Sequence, residues 1–385
     1  MAVRFLPGNR LALLRAGAEY FPALEAAIGA ARSELFLETY IYAGDATGRR
    51  VTRALCEAAS RGVAVRVLVD GFGAKDMPAG IVRDLEGAGA RLLVFRPEIF
   101  PFPWRRERLR RMHRKLAVVD DSVAFVGGIN VIDDSDTPGQ PPPRYDFAAR
   151  IEGPLAGAVR EEAARLWNRV ALARLRPEWR VGPWRGSPPS HRGEQRAALL
   201  VRDNLRHRRS IETAYLAAMR SAAREIVLAN AYFLPGRRFR SALAQAAQRG
   251  VRVTLLLQGH EYPLLHDATR ALYGTLLAAG VEIREYDRGF LHAKVAVIDG
   301  HWATVGSSNI DPLSLLLARE ANVVVEDRHF AAELRAALQS AMDRGSIVIE
   351  KTRWFHLPLW RRVRIWLAYG LARLVIGIVG LGSRF

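Results

Sequence analysis

The chain has 385 residues, half of them hydrophobic and a quarter charged. This composition excludes a chain that is disordered throughout, and the length suggests two or three domains. The 57 basic residues outnumber the 39 acidic ones and give a formal net charge of +18. A field of that sign attracts nucleic acid, an anionic membrane surface or a phosphorylated substrate. The single cysteine, Cys56, excludes an internal disulfide and a cysteine-based metal cluster and favours a reducing compartment.

We do not expect a targeting segment or a membrane-spanning helix. Arg4, Arg10 and Arg15 interrupt the apolar residues of the N-terminus, so its pattern is not that of a signal peptide. No stretch reaches the roughly 20 apolar residues that cross a bilayer. The nearest approach, residues 365–381, contains Arg373 and several glycines.

One α/β unit occurs twice along the chain. Residues 33–71 and 224–259 each have the pattern of a strand, a turn, an amphipathic helix, a glycine and a second strand. In each copy a further helix pattern and a short strand follow, RLLVF in the first and VEIREY in the second. Strands that alternate with helices of this length predict an α/β fold around a largely buried sheet.

The repeat divides the chain into two lobes. A stretch rich in Pro, Gly and Arg separates the copies and has the composition of a linker. We predict a first lobe at 1–175, a linker at 176–196, a second lobe at 197–345 and a tail at 346–385.

The same polar pattern stands once in each copy. In one-letter code its first part is HxKxxxxD. Six residues after the Asp comes its second part, GGxN or GSxN. The first copy has His113, Lys115, Asp120, Gly127, Gly128 and Asn130. The second copy has His292, Lys294, Asp299, Gly306, Ser307 and Asn309. The apolar residues between Lys and Asp predict a buried strand that opens a β-hairpin.

This pattern suits a phosphate pocket. Residues i and i+2 of a strand share a face, so the His and Lys of each copy emerge together. The glycines let the backbone approach a ligand, and the Asn adds a neutral donor. A single copy could be a capping His and a solvent-directed Lys. Two copies at one spacing exclude coincidence, and they use two of only four lysines in an arginine-rich chain.

The segments HRKLAVVDDSVAFVGGIN and LHAKVAVIDGHWATVGSSNID resemble the paired HxKxxxxD motifs of the phospholipase D superfamily. Within it, the GGxN and GSxN endings and the lack of N-terminal membrane helices resemble bacterial cardiolipin synthases of the B type. The resemblance implies two pseudo-symmetric phospholipase D-like αβα lobes, with mixed β-sheets flanked by helices and the active site at the lobe interface. The six His, Lys and Asp residues of the two motifs are then the candidate catalytic set.

The family also implies roles for these residues. His113 would attack phosphorus and form a phosphohistidine, and His292 would act as general acid and base, although the symmetry of the sequence permits the reverse. Neither a metal nor a cofactor is implied. Non-bridging phosphate oxygens would be held by Lys115, Lys294, Asn130, Asn309, Gly128 and Ser307.

Four carboxylates in and near the motifs need an interpretation. By resemblance, Asp146 and Glu320 would orient the two histidines; otherwise each is a charge at a strand edge. Asp120 and Asp299 end the motif strands, and we interpret them as mainly structural residues of the hairpin turns.

Other segments suggest contacts with lipid. Glu38 and Tyr40 in the first lobe, and Tyr232, Phe233 and Pro235 in the second, would line the substrate pocket, unless the aromatic rings are core residues. The Arg-rich, aromatic stretch IFPFPWRRERLRRMHRK favours a membrane interface over a solvated basic loop. In the tail, Trp, Leu, Ile and Arg favour an amphipathic helix in the membrane plane over a lobe-packing helix or a short span.

These features predict a phosphatidyltransferase that moves a phosphatidyl group from phosphatidylglycerol to an alcohol, giving cardiolipin and glycerol when the alcohol is a second phosphatidylglycerol. The expected partner is an anionic membrane containing these lipids, at the cytoplasmic face of the bacterial inner membrane, without nucleic acid or an obligate protein partner. A lipid hydrolase, a nuclease of the same superfamily and a silent membrane scaffold are the alternatives. The apolar loop and tail disfavour the nuclease, and the intact motifs disfavour the scaffold.

Overall fold

A computed structural model describes residues 3–97, 110–137, 139–183, 190–203, 207–259, 263–311 and 318–380. In the first half of the chain the strands are β1 (Leu6–Arg15), β2 (Glu34–Thr39), β3 (Ala64–Asp70), β4 (Arg91–Phe95), β5 (Lys115–Val119), β6 (Val123–Gly127), β7 (Arg144–Tyr145) and β8 (Phe147–Glu152). In the second half they are β9 (Gln195–Arg202), β10 (Glu225–Asn230), β11 (Arg252–Gln258), β12 (Glu282–Tyr286), β13 (Phe290–Leu291), β14 (Lys294–Ile298), β15 (Trp302–Gly306), β16 (Glu320–Glu326) and β17 (Ser346–Val348).

Helices alternate with these strands. The first lobe has α1 (Ala16–Ala30), α2 (Ala46–Ser60), α3 (Ala79–Gly87) and α4 (Pro154–Ala173), followed by a 3₁₀ turn at Pro177–Trp179. The second lobe has α5 (Ser210–Ser221), α6 (Arg237–Gln248), α7 (Pro263–Arg270), α8 (Tyr273–Ala278) and α9 (Arg328–Gly345). The tail forms α10 (Lys351–Phe355) and α11 (Leu359–Gly380). No helix of the described residues is both long and apolar enough to cross a membrane.

The predicted α/β class and the two related lobes are confirmed. In the first lobe β2, β3 and β4 are parallel and β5 and β6 form an antiparallel hairpin beside them. In the second lobe β10, β11 and β12 are parallel and β14 and β15 form the equivalent hairpin. The lobes share one 15-stranded sheet because β1 and β9 pair with each other at its centre.

Local sequence explains how these elements begin. The strand ELFLET is buried along its whole length, as expected for a strand with helices on both faces. Asp45 accepts a hydrogen bond from the amide of Gly48 and caps α2, and Asp327 caps α9 in the same way through Phe330. Such caps satisfy amides that have no partner within the helix.

The core has one large cluster inside each lobe and a third large cluster that both lobes share. The shared cluster contains apolar side chains of α4 and α9, which cover the middle of the common sheet. Trp167 from α4 and Phe330 from α9 are completely or almost completely buried there. Because this core belongs to both lobes, it fixes their relative position and brings the motif strands β5 and β14 into one rigid frame.

Candidate active site

His113 lies directly before β5 and is held by its backbone. The amide of His113 donates to the carbonyl of Arg319 at 2.9 Å, and the preceding amide, of Met112, donates to the carboxylate of Asp70 at 2.8 Å. Asp70 ends β3 and is completely buried. The histidine is therefore anchored on one side by its own lobe and on the other by the second lobe.

His292 stands in the equivalent position before β14. Its amide donates to the carbonyl of Tyr145 at 2.8 Å, and the preceding amide, of Leu291, donates to the side-chain oxygen of Gln258 at 2.9 Å. Gln258 ends β11 just as Asp70 ends β3. In both lobes a polar side chain at the end of a strand thus accepts a hydrogen bond from the amide that precedes the histidine, although the side chain differs.

Each histidine ring contacts a carboxylate of the other lobe. Nδ1 of His113 lies 3.1 Å from Oε1 of Glu320, and Nδ1 of His292 lies 2.6 Å from Oδ2 of Asp146. We call these two contacts the crossed pairs. Both carboxylates are almost completely buried. Because Nδ1 is occupied in both rings, Nε2 is the nitrogen that remains for chemistry.

The motif lysines lie beside the histidines. Nζ of Lys115 donates to the carbonyl of His113 at 2.6 Å, and Nζ of Lys294 donates to the carbonyl of His292 and, at 3.5 Å, to Asp146. Burial lowers the pKa of Lys115 to about 7 and that of Lys294 to about 8, and the nearby carboxylates oppose this effect. These ammonium groups are a buried cationic pair suited to an anionic ligand.

Both imidazoles favour the neutral form. Burial lowers the pKa of His113, and the charge of Lys115 adds to the effect, although Glu320 opposes it. The pKa of His292 is lowered further, by burial and then by the charges of Lys294, Arg144, Lys115 and His113. A neutral imidazole is the form that attacks phosphorus, and an incoming phosphodiester anion would favour protonation of its partner.

The two carboxylates differ in their surroundings. Burial raises the pKa of Asp146 to about 6. Burial also opposes ionisation of Glu320, but His113, Lys115 and a hydrogen bond of 2.6 Å from Oγ of Ser307 outweigh it and lower the pKa of Glu320. Ser307 was predicted to hold substrate phosphate, and the structure places its hydroxyl on Glu320. Ser307 is therefore a group that keeps this carboxylate charged.

Packing within the protein requires glycine at two motif positions, apart from the predicted approach of the backbone to a ligand. A Cβ atom at Gly128 would overlap the carboxylate of Asp146, and one at Gly306 would overlap the side chain of Asn322. The space is thus filled by protein groups. Of the predicted amide donors, Asn130 accepts a hydrogen bond from the amide of Ile41 at 3.1 Å, which leaves its NH₂ end for a ligand.

Asn309 is the second predicted amide donor, and it is 4% exposed. Its Oδ1 atom is buried and has no hydrogen-bond partner among the described residues. A buried amide oxygen without a partner is unfavourable in a resting protein, so this acceptor is a candidate for a hydrogen bond from a substrate hydroxyl, whereas the NH₂ end of the same amide is the group that can donate to a phosphate oxygen.

Asp120 and Asp299 lie at the far ends of β5 and β14, away from the histidines. Asp120 accepts hydrogen bonds from the amides of Arg32, Ser33 and Glu34, and from the hydroxyl of Ser33. Asp299 accepts three from the amides at 223, 224 and 225. Both have positive φ values, 49° and 52°, in the turns of the motif hairpins. These contacts agree with the structural interpretation of the two aspartates.

The residues predicted to line the substrate pocket separate into different environments. Tyr40 packs edge-on against His113, with 4.9 Å between ring centroids, and lies at the site. Glu38 is paired with the buried guanidinium of Arg114 and is not free to contact substrate. Phe233 is completely buried in the core of the second lobe. Pro235 is buried, and Tyr232 is half-buried near Arg144.

Three polar residues near the site were not predicted from the sequence. Asp70 and Gln258 hold the amides that precede the histidines, and their only signal was a polar residue at the end of the second strand of each repeat, VLVD and LLLQ. Arg144 is buried near His292, and its guanidinium donates to the carbonyls of Asp133 and Asp136. Arg144 lies outside both motifs, so no spacing pointed to it.

Most of the predicted basic interface segment falls outside the described residues, which resume at Arg110. Where the structure does describe the chain, no three His, Cys, Asp or Glu side chains are placed to hold one metal ion.

Comparison with known proteins identifies the family. Residues 24–140 and 215–342 match the family model "Cardiolipin synthase, PLD-like domain". The cardiolipin synthase B of Escherichia coli K12 is 39% identical over 374 residues, which is 97% of this chain and 90% of that protein. The major cardiolipin synthase of Bacillus subtilis is 28% identical over 94% of this chain and 74% of its own length.

A solved structure shares the fold. The phosphatidylserine synthase of Haemophilus influenzae superposes with a TM-score of 0.69 at 12% identity, over 97% of this chain and 95% of that one. The family model, the full-length relatives and this fold agree with one another. The chain therefore belongs to the cardiolipin synthase family of phospholipase D-like proteins.

Proposed function

We propose that the chain is a cardiolipin synthase-type phosphatidyltransferase. Its donor is phosphatidylglycerol and its acceptor a second phosphatidylglycerol, so the products are cardiolipin and free glycerol. The observation that carries the proposal is the crossed pairs, since they occupy Nδ1 of both imidazoles and leave Nε2 of each for chemistry beside the buried side chains of Lys115 and Lys294. The proposal also rests on the full-length likeness to cardiolipin synthases.

In the first step, Nε2 of His113 attacks the phosphorus of the donor. A P–N bond forms, the bond from phosphorus to the glycerol oxygen breaks, and His292, which takes up a proton when the anionic donor binds, gives that proton to the glycerol oxygen. Lys115, Lys294, Asn130 and Asn309 stabilise the negative charge that builds on the non-bridging oxygens. Glu320, kept ionised, stabilises the cationic ring of His113 during this step.

In the second step, an acceptor hydroxyl resolves the phosphohistidine. His292, now deprotonated, takes the proton of the hydroxyl as its oxygen attacks phosphorus, and the P–N bond breaks. Water could make the same attack, so transfer requires a site that excludes water. The side chains of His292 and His113 are only 10% and 17% exposed, which favours an acceptor alcohol over bulk water.

Because both substrates are membrane lipids, the proposed partner is an anionic bilayer. We place the enzyme peripherally at the cytoplasmic face of the bacterial inner membrane. The single free cysteine agrees with a reducing compartment, and the charge of +18 agrees with anionic lipid.

The reaction is tested with purified protein and vesicles of phosphatidylglycerol. We expect cardiolipin and glycerol in equal amounts. Phosphatidic acid as the sole lipid product would instead identify a hydrolase. Cleavage of DNA with no turnover of lipid would identify a nuclease of the same superfamily.

The assignment of the two histidines is tested by covalent labelling. With phosphatidylglycerol labelled in its phosphate, brief incubation and denaturation should trap label on the wild-type chain. H113A should lose both turnover and label, and H292A should lose turnover and form the label at His113 far more slowly, because His292 serves both steps. Normal labelling of H113A would reverse the two roles.

A further inference from the structure

The tail helix α11 packs against the second lobe along one stripe of its surface. Ile365 and Ala368 are buried, and Tyr369 and Ala372 pack against a small apolar cluster of Leu234, Ala268 and Leu272. An ion pair of 2.9 Å between Arg364 and Asp267 also joins α11 to α7. Over this stripe the tail therefore packs against the second lobe, as the lobe-packing alternative predicts.

The opposite face of α11 is also apolar, and it is exposed. At 100° per residue, its side chains centre on the side away from the buried stripe. They are between 47% and 74% exposed. We call this set the outer face; it consists of Leu359, Trp360, Val363, Trp366, Leu367, Leu371 and Leu374.

Arginines flank the outer face. Arg361, Arg362 and Arg373 are exposed on the same helix, and the guanidinium of Arg361 lies over the ring of Trp360 at 5.2 Å. No acidic residue occurs in the helix. An exposed apolar face with exposed arginines at its borders complements the surface of an anionic bilayer, with Trp at headgroup depth and arginines on phosphates.

A cleft of about 810 Å³ runs along the side of this helix. One wall is α11, with Leu367 and Leu371, and another is α7, with Leu264 and His266. Arg270 and Arg364 also line the cleft, paired with Glu285 and with Asp267 respectively. The cleft thus continues the apolar outer face into the body of the second lobe.

The far end of the cleft adjoins the structure that holds His292. Gly259 and residues of the 139–141 loop line that end. Gln258, next to Gly259, binds the amide of Leu291, which directly precedes His292, and its side chain also meets Gln140 at 3.4 Å. The cleft therefore lies on the side of the acid–base histidine, where the leaving group and the acceptor must lie when His113 is the nucleophile.

We propose that the outer face of α11 docks on an anionic bilayer and that the cleft beside it guides phospholipid from that bilayer to the His292 side of the active site. The proposal rests on the proposed function for the identity of the lipid. In this arrangement the acyl chains follow Leu264, Leu367 and Leu371 while the headgroup advances toward His292. The tail thereby delivers lipid from the bilayer and lies outside the site where the phosphate reacts.

The docking surface is tested by sedimentation with vesicles of phosphatidylglycerol and phosphatidylethanolamine. L367E should weaken vesicle binding by about tenfold or more, because it puts a charge in the apolar layer. L172E is the matched control, since Leu172 is an equally exposed leucine on helix α4 of the other lobe, and it should bind as the wild type does. Unchanged binding by L367E would overturn the proposal, as would a dimer that L367E dissociates.

The cleft is tested by L264E, which changes an exposed side chain of α7 outside the outer face. We expect lower kcat/KM on vesicles with vesicle binding retained.

Both variants should keep wild-type turnover of a water-soluble, short-chain phosphatidylglycerol, which needs neither surface nor cleft. Full vesicle turnover by L264E would refute the cleft. Absence of turnover by the wild type on either substrate would refute the proposed function, whereas the sedimentation result would still decide the docking surface.

Discussion

The carboxylate of Glu320 lies 3.1 Å from Nδ1 of His113, although the two residues are 207 positions apart and belong to different lobes. Asp146 and His292 repeat the relationship in the opposite direction. Neither lobe therefore contains a complete histidine–carboxylate pair by itself. The active site exists only when both lobes are folded on the common sheet.

Glu320→Gln should leave the ring of His113 without a negative partner. We expect kcat to fall by about 10²–10⁴-fold, the range seen when an orienting carboxylate is replaced by its amide. Lipid binding and the thermal midpoint should change little, because the amide has nearly the same shape. Glu326→Gln, at the other end of β16, is the control. Equal kcat values for both variants would contradict a role for Glu320.

Ser307→Ala should shift the pH profile. The hydroxyl donates to the carboxylate of Glu320, and removal of a hydrogen bond to the charged form raises the pKa of that group. Glu320 would then become protonated at a higher pH, so the acidic limb of kcat/KM should move upward. Ser221→Ala, on the surface of α5, should leave the profile in place. A uniform loss of rate at every pH would indicate a merely structural effect.

Gly128→Ala should displace the carboxylate of Asp146, which occupies the position of the added methyl group. Overpacking of this kind costs about 1–3 kcal/mol in the free energy of unfolding. We also expect a loss of activity larger than the loss of folded protein, since His292 loses its partner. Gly29→Ala lies in helix α1, and its methyl group meets nothing within 4 Å, so it should keep full activity and leave stability unchanged or slightly raised. Denaturation curves and rates measured on the folded fraction separate the two effects.

Asp299→Ala should reduce stability in a pH-dependent way. Burial alone would raise the pKa of Asp299, but the three backbone amides bound to it outweigh burial and lower the pKa. The charged form therefore stabilises the fold above the unfolded pKa of about 3.9, and this stability is lost as the pH falls through the lower folded value.

At neutral pH we expect Asp299→Ala to lower the free energy of unfolding by about 1–2 kcal/mol, and this difference should shrink near pH 3. Asp76→Ala, whose side chain is 90% exposed, is the control. A difference that stays constant with pH would mean that the charge of Asp299 contributes nothing.

The sequence was sufficient for the features that depend on local pattern. The strands β5 and β14 follow from the apolar residues between Lys and Asp, and the α/β alternation follows from helix and strand periodicity. The motif residues could be found because the pattern occurs twice. The contacts across the lobes could not be found in this way, since they depend on β1 pairing with β9, which no local pattern encodes.

Individual side chains show the same limit. Glu38 is predicted to line the pocket because of its place near the end of the first repeat strand. In the structure it is paired with the buried guanidinium of Arg114. Ser307 is predicted to hold phosphate, and its hydroxyl donates to Glu320, a contact that its place in the motif did not indicate. In both cases the nearest partner comes from a distant part of the chain, so sequence spacing indicates the region but not the contact.

The pairing of β1 with β9 constrains how the enzyme can move. A hinge that swung the lobes apart would have to break backbone hydrogen bonds at the middle of the 15-stranded sheet and split the core beneath α4 and α9. We therefore expect the two lobes to stay together during turnover, so that lipids enter and leave a scaffold that remains closed.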